Sequence, residues 1–505
     1  MGRSLFRKLH RRFGTRRSGV DRKRRADAHH ERARDAMPLD IVKAKPATGK
    51  SPGSVAIIGA GFAGCAAAYV ANLLGFKVTI YDAGGEPGGR VTSSRTVVPG
   101  RILETGGELI GLNHPLWILF ADLAGFALGV VTPDDDYAGA MLDAPLILGG
   151  VPYGHKAQAN LYDGMQKVFN GWIRKSAIVT APWSPWQTPD AARLDSQTLG
   201  EKIPAGTHRR VIKAIEVEFE LNNTTPIGEQ SWLANLAQFQ AAGGGQGFFD
   251  DTEVFRCTAG NQQLAIWLVD GLPLVRQTVT AIDTSNKVTL TFKEGGTSTP
   301  FDYVIVATSV AIWPFIQVDG NEFPYKGIAN GPAIKYLAPV EQRFWIPESL
   351  APSGMSDTLG MTWEGTDNQA NTAGFDLSVF AGGKAAQDAI NNQGSDSYYA
   401  PLVSQLYPGF STSGGRFHSH PSDPAILTGY SCPGPRQVVG AQQSYSKPYQ
   451  DHRSKERLFV AGEHTSPAWF GYMEGALESG LIAAARMARV AGVRLRPAWG
   501  GTKAL

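Results

Sequence analysis

The sequence predicts an α/β protein in which a parallel-sheet domain is assembled from three separated segments, with a second, α+β domain inserted between them. Three observations predict it: a strand–glycine turn–helix–strand unit at 55–81, a run of alternating strands at 254–312, and a closing strand–turn–helix at 457–490. The chain's 505 residues exceed what one hydrophobic core usually serves. Its 59 glycines and 31 prolines suit a turn-rich mixed fold better than a helical bundle. No apolar run is long enough to span a membrane as a helix.

The N-terminus is set apart by charge. Residues 1–50 hold 16 Lys and Arg against five Asp and Glu, which leaves the remaining chain net acidic. Residues 1–53 are therefore expected to be a basic, disordered tail, with ordered structure starting at Ser54. Contact of this tail with nucleic acid or an anionic membrane surface is the alternative reading of the same charge. No apolar stretch follows the pairs Arg11-Arg12 and Arg16-Arg17, so an export signal of the twin-arginine type is not indicated. Cys65, Cys257 and Cys432 show no paired spacing, which argues against a disulfide framework or a metal site and suits a reducing cytoplasm.

The first ordered unit is a short apolar strand at 55–58, an Ala-rich helix at 63–74 and a β-branched strand at 77–81. Residues 115–250 turn Trp- and Ala-rich and less regular. Strands follow at 279–283, 288–292 and 303–307, then strand-like pieces such as 333–337 in a Gly- and Ser-rich block. One domain is accordingly assigned to 54–115, 251–330 and 426–490, and the inserted one to 116–250 and 331–425.

Between the first strand and helix stands Gly59-Ala-Gly61-Phe-Ala-Gly64. In that context the first glycine permits the tight turn, the second lets the backbone approach a pyrophosphate, and the third lets helix and strand pack closely. Asp82 ends the next strand, where a carboxylate can accept ribose hydroxyls. The pattern reads as a Rossmann-type dinucleotide site.

Gly88-Gly89-Arg90 follows soon after, and the segment Leu458-Phe-Val-Ala-Gly462-Glu463-His-Thr-Ser-Pro-Ala-Trp469-Phe-Gly-Tyr472-Met473-Glu-Gly-Ala476 closes the chain's strand–turn–helix. With these words the chain resembles the flavin-containing amine oxidase superfamily. The resemblance extends to Phe255-Arg256-Cys-Thr-Ala-Gly-Asn261 and to the strand at 303–308, and hardly touches 116–250. It implies a Rossmann-type FAD-binding domain with an inserted α+β substrate domain. It places Gly89 and Arg90 along the FAD diphosphate, Gly107 and Glu108 at the flavin, and Val275 at the adenine through its backbone. Gly462 and Glu463 fall at the ribityl or diphosphate region, and Met473 and Ala476 beside the start, near Gly475, of a helix facing the flavin N1–C2=O edge.

The same resemblance implies catalytic roles. Lys335 matches a lysine bonded through water to flavin N5, although a lysine between Ile334 and Tyr336 otherwise reads as an outward-facing strand residue. Tyr430 and Tyr472 match two aromatics that cage the amine before the flavin. Gly429 occupies the place where some monoamine oxidases carry the flavin-attaching cysteine, so FAD is expected to be noncovalent.

The loop from Glu104 to Trp117 looks most like bacterial and fungal L-amino-acid oxidases. Leu109 stands where the snake-venom type has its carboxylate-binding arginine, which leaves Arg256 or Arg436 as the candidate anchors, with Trp469 also on the substrate side. The implied reaction is oxidative deamination of an L-amino acid by molecular oxygen, with a monoamine or polyamine oxidase as the rival. A flavoprotein acting on a macromolecule, or a noncatalytic binding module, is a further alternative. A homo-oligomer is expected.

Overall fold

A computed structural model describes residues 22–36, 39–43, 50–131, 142–245, 248, 251–369 and 374–495. Five parallel strands form the first sheet: β1 (Ser54–Ile58), β2 (Lys77–Asp82), β3 (Leu274–Arg276), β4 (Tyr303–Val306) and β5 (Glu456–Val460). Their spatial order is β5-β4-β1-β2-β3, with the short antiparallel strand Tyr449–Gln450 beside β5. Central parallel strands are covered on both faces, which is why 55–58 and 303–306 read as unbroken apolar runs.

Register aligns the carboxyl ends of these strands. Ile58 lies opposite both Tyr81 and Val306, and Val306 lies opposite Val460. Gly59, Asp82, Ala307 and Gly462 therefore emerge at one edge, where open parallel sheets bind their ligands. Three helices frame this domain: α1 (Arg22–Ala36), α2 (Phe62–Leu73) and α3 (Met473–Val490). Both α2 and α3 start at that edge.

A second sheet of seven strands runs in the order Arg416–Ser419, Ala333–Val340, Phe375–Gly382, Gly360–Glu364, Met355–Ser356, Leu146–Leu148 and Val151–Pro152. Helices His155–Ser176, Arg209–Asn223 and Trp232–Ala241 share its hydrophobic core, through Phe169, Trp172, Phe219 and Trp232. Lys335 is directly opposite Phe380 on one side and His418 on the other. Directly opposed residues project from the same face of a sheet, so these three side chains stand in one row.

Order does not begin at Ser54. Helix α1 and the turn Leu39–Lys43 are folded, with Ala33, Leu39, Ile41 and Val42 buried. Helical spacing puts Arg25 and His29 on one face of α1, where both reach the buried carboxylate of Asp251. The high charge of the tail hides these few apolar anchors from a composition reading. No described helix is long and apolar enough to cross a membrane.

Candidate active site

Two adjoining cavities open at the carboxyl edge of the parallel sheet and share Gly61, Arg90 and Ala307. The larger, about 2050 Å³ of space between atoms, is lined by Asp82, Gly89, Gln277, Thr278, Val279, Thr280 and Thr308, among others. The Asp82 carboxylate is fixed by backbone donors: Ala60 N–H to Oδ2 at 2.8 Å, and Gly84 and Gly85 N–H to Oδ1 at 2.8 and 2.9 Å.

The three glycines of the first turn do different work. A Cβ on Gly64 would lie 1.8 Å from the Gly59 carbonyl oxygen, so α2 packs against the end of β1 only because the side chain is missing. A Cβ on Gly61 would meet no protein atom within 4 Å and would project into the space between the cavities. That is the seat a pyrophosphate needs, at the start of a helix whose first N–H groups have no side-chain cap. Thr308 Oγ1 and Gln277 Oε1, buried on the wall of the larger cavity, have no hydrogen-bond partner among the described residues. These residues fit a polar dinucleotide.

The second cavity, about 1040 Å³, brings together Lys335, Tyr430, Tyr472, Gly107, Glu108, Gly462, Glu463, Met473 and Ala476. Gly462, at φ 142° and ψ 157°, adopts a backbone open to glycine alone and turns the chain from β5 into the cavity wall. Glu463 is then held by three donors: Arg90 Nη1 at 2.8 Å, Gly471 N–H at 2.8 Å and Ser431 Oγ at 3.1 Å. Burial works most strongly against its charge, but Arg90, His464 and the Gly471 N–H together outweigh it and keep the carboxyl below its ordinary range. Met473 and Ala476 lie in the first turn of α3, which has no side-chain cap. Its N–H groups and dipole face the cavity as a site for developing negative charge. The Tyr430 hydroxyl donates to the Asn222 carbonyl at 2.9 Å, which fixes its ring, and burial raises the phenol well above its usual value.

Lys335 is not an outward-facing residue. It is 4% exposed and lines the cavity, its ammonium bonded to the Glu108 carboxylate and, at 2.9 Å, to the Glu104 carbonyl. Of the two histidines on this wall, His420 is pulled down to about 4 by burial and by Arg90, and His418 is lowered by burial and by Lys335. Both are neutral at pH 7. Leu109, Phe380, Ile334 and Ala333 supply apolar wall.

Four expected positions fall elsewhere. Val275 is a sheet-edge residue paired with Tyr81 and 38% exposed; four residues on, Val279 lines the cavity instead. Arg256 lines neither cavity, because Glu108, Asp367 and the Glu364 carbonyl engage its guanidinium. Arg436 is exposed at the start of the turn 438–442, its backbone N–H on the Asp195 carbonyl at 2.7 Å, away from both cavities. Trp469 is buried behind the wall, edge-on to His114 and to Tyr472 at ring separations of 5.0 and 5.3 Å. It buttresses Tyr472 and does not meet the cavity. Residues not anticipated on the wall are His418, His420, Phe380, Thr252 and Glu253. Cross-strand pairing with Lys335 brings the first and third of these onto the wall, a relation between distant residues that no local pattern shows.

The model of the flavin containing amine oxidoreductases matches residues 62–488. The chain belongs to that family: it is a mixed α/β flavoenzyme with a Rossmann-type FAD-binding domain and a substrate domain, and its cofactor is FAD. It is 26% identical over 458 residues to a nicotine dehydrogenase of Pseudomonas putida, covering 85% of this chain and 87% of that one. A 72-residue stretch, 14% of either chain, is 40% identical to a hydroxyneurosporene desaturase of Rhodobacter capsulatus. In structure it resembles cyclohexylamine oxidase from Brevibacterium oxydans with a TM-score of 0.73 at 19% identity, over 86% of this chain and 99% of that one. The likeness to putrescine oxidase bound to putrescine has a TM-score of 0.72 at 17% identity, over the same shares. At these identities the structural likeness is one of fold.

Proposed function

We propose that this flavoenzyme oxidises a small amine that carries no α-carboxylate, by loss of hydride from the carbon bearing the nitrogen. The observation that supports this reading is the cation inventory of the cavity. Its lining Lys and Arg are Lys335 and Arg90, and each is already bonded to a carboxylate. Its histidines are neutral, Leu109 is apolar, and Arg256 and Arg436 lie outside it. Between residues 50 and 495, the segments outside the described residues, 132–141, 246–247, 249–250 and 370–373, contain no Lys or Arg. A buried carboxylate left without a partner costs several kcal/mol, so an amino acid would bind poorly where an amine would not. The names of the relatives, a nicotine dehydrogenase and two amine oxidases, favour the same substrate class.

Bound FAD supplies the two-electron acceptor. The chain's own contribution is placement and solvation. Tyr430 and Tyr472 line the cavity together with apolar Leu109, Ile334 and Phe380, a set of side chains that keeps water from the hydride path. The first turn of α3 offers N–H donors where negative charge accumulates, and Lys335 offers a fixed positive charge on the wall of the same cavity. Oxygen as the final acceptor and hydrogen peroxide as product belong to the same proposal. Anaerobic flavin bleaching by cyclohexylamine, putrescine, nicotine and a set of L-amino acids tests it, followed by peroxide assay in air. Bleaching by an amine is expected; bleaching by amino acids alone overturns the reading.

A further inference from the structure

We propose that Glu108, braced by Arg256 and Asp367, is a positioning residue that fixes the Lys335 ammonium at the wall of the flavin cavity. The proposal rests on the reading that Lys335 acts in the flavin reaction.

The geometry is a closed chain of charge. Glu108 Oε2 accepts from Lys335, while Oε1 accepts from Arg256 Nε at 2.6 Å and from Trp363 Nε1 at 2.9 Å. Arg256 continues to Asp367 through Nη1 and to the Glu364 carbonyl through Nη2 at 3.0 Å. Every side chain in it is at least 88% buried. Two of the three Lys335 N–H groups are thereby engaged, by Glu108 and by the Glu104 carbonyl. The third has no acceptor among the described residues, and it belongs to a side chain that lines the cavity. Two rigid acceptors leave a long, otherwise mobile side chain one orientation. Trp363, whose ring centroid is 5.3 Å from the ammonium, limits the other rotamers.

Charge reinforces the geometry. Burial pushes the Glu108 carboxyl up, but the Lys335 ammonium and the Arg256 guanidinium outweigh it and bring it down to about 2. The carboxylate is thus ionised throughout the working range and faces the Lys335 nitrogen as a full negative charge. The other titratable groups around this pair are Glu104 and Asp376, each pushed up to about 7 by burial, with His418, His420 and Asp367.

The test compares Glu108→Gln, Glu108→Asp, Asp367→Asn and Lys335→Met as holoenzymes with full FAD content. Acetic anhydride labelling, read by peptide mass spectrometry, reports how firmly the Lys335 nitrogen is held by its two acceptors. Labelling of Lys335 relative to the exposed Lys384 should rise at least tenfold in Glu108→Gln, less in Asp367→Asn, and least in Glu108→Asp, which keeps the charge. The slower flavin half-reaction should fall at least tenfold in Glu108→Gln, no further than in Lys335→Met, and recover in Glu108→Asp. Unchanged labelling and an unchanged half-reaction in Glu108→Gln overturn the positioning role, whatever Lys335 does. Wild-type half-reactions in Lys335→Met, with raised labelling in Glu108→Gln, leave the clamp standing and overturn the catalytic reading of Lys335.

Discussion

Two glycines three residues apart should fail in opposite ways when replaced. Gly61 has φ −69° and ψ 175°, extended backbone that any residue adopts, and a Cβ there meets no protein atom within 4 Å. Asn caps helices at least as well as Gly, so Gly61→Asn should leave apo stability within about 0.5 kcal/mol of wild type. Its carboxamide, however, occupies the pyrophosphate seat. Gly64→Ala is the reverse: its Cβ falls 1.8 Å from the Gly59 carbonyl oxygen, where real Cβ atoms essentially never approach within 3.0 Å. Helix α2 must then retreat from β1 by at least 1.2 Å, the difference of those two distances, an overpacking cost of about 1–3 kcal/mol or more. Thermal melts of apo and FAD-reconstituted protein separate the cases. Wild type gains about 2.7 kcal/mol when FAD is present at 100 times its Kd. Gly61→Asn should keep the apo melt and lose that gain; Gly64→Ala should lower the apo melt itself by a few degrees. A Gly61→Asn protein still stabilised by FAD, or a Gly64→Ala protein with a wild-type apo melt, would refute the assignment.

Lys335→Met should retain FAD and slow reduction or reoxidation of the flavin at least tenfold in stopped flow; wild-type rates in both half-reactions would make it a strand residue only. FAD should leave with acid or heat precipitation, because Gly429 precedes Tyr430 and the Cys432 thiol is buried in the core, its pKa pushed up to about 12 by burial; a yellow washed pellet would contradict this. Burial pushes Glu474 and Glu478 up to about 8 from an ordinary 4.5. The folded state therefore binds the extra protons, and their stabilisation, full below 4.5, is lost as pH rises towards 8. Glu478→Gln should gain stability relative to wild type across that window in urea melts, and a constant difference with pH would show the shift to be absent. Asp251→Ala should destabilise the protein by about 1–3 kcal/mol through the loss of its contacts with Arg25 and His29; an unchanged melt would mean that α1 is not anchored there.

Features written in neighbouring residues were legible. The apolar run 55–58, the three glycines and the strand at 77–82 lie within one short unit, so strand, turn, helix and strand could be read locally. The turn at Gly462 and the start of α3 near Met473 were legible for the same reason. What could not be read was partnership across distance. Arg256 carries the right charge for a substrate carboxylate, but Glu108 and Asp367, 148 and 111 residues away, had already taken it. Lys335 and Glu108 are separated by 227 residues. Val275 and Val279 are equally β-branched, and only the sheet's edge distinguishes the strand residue from the cavity residue. Trp469 sits within a cofactor motif, yet a motif does not say which side chain turns inward. The tail's charge masked the few apolar residues that dock it.

The amine-without-carboxylate proposal is tested most directly by the anaerobic rate of flavin reduction with phenethylamine against L-phenylalanine, molecules that differ only by the α-carboxylate. A cavity whose cations are already paired predicts faster bleaching with phenethylamine by at least about a hundredfold, because a buried carboxylate left unpartnered costs several kcal/mol. Faster reduction by L-phenylalanine would contradict it, and would require a carboxylate anchor that none of the described cations supplies.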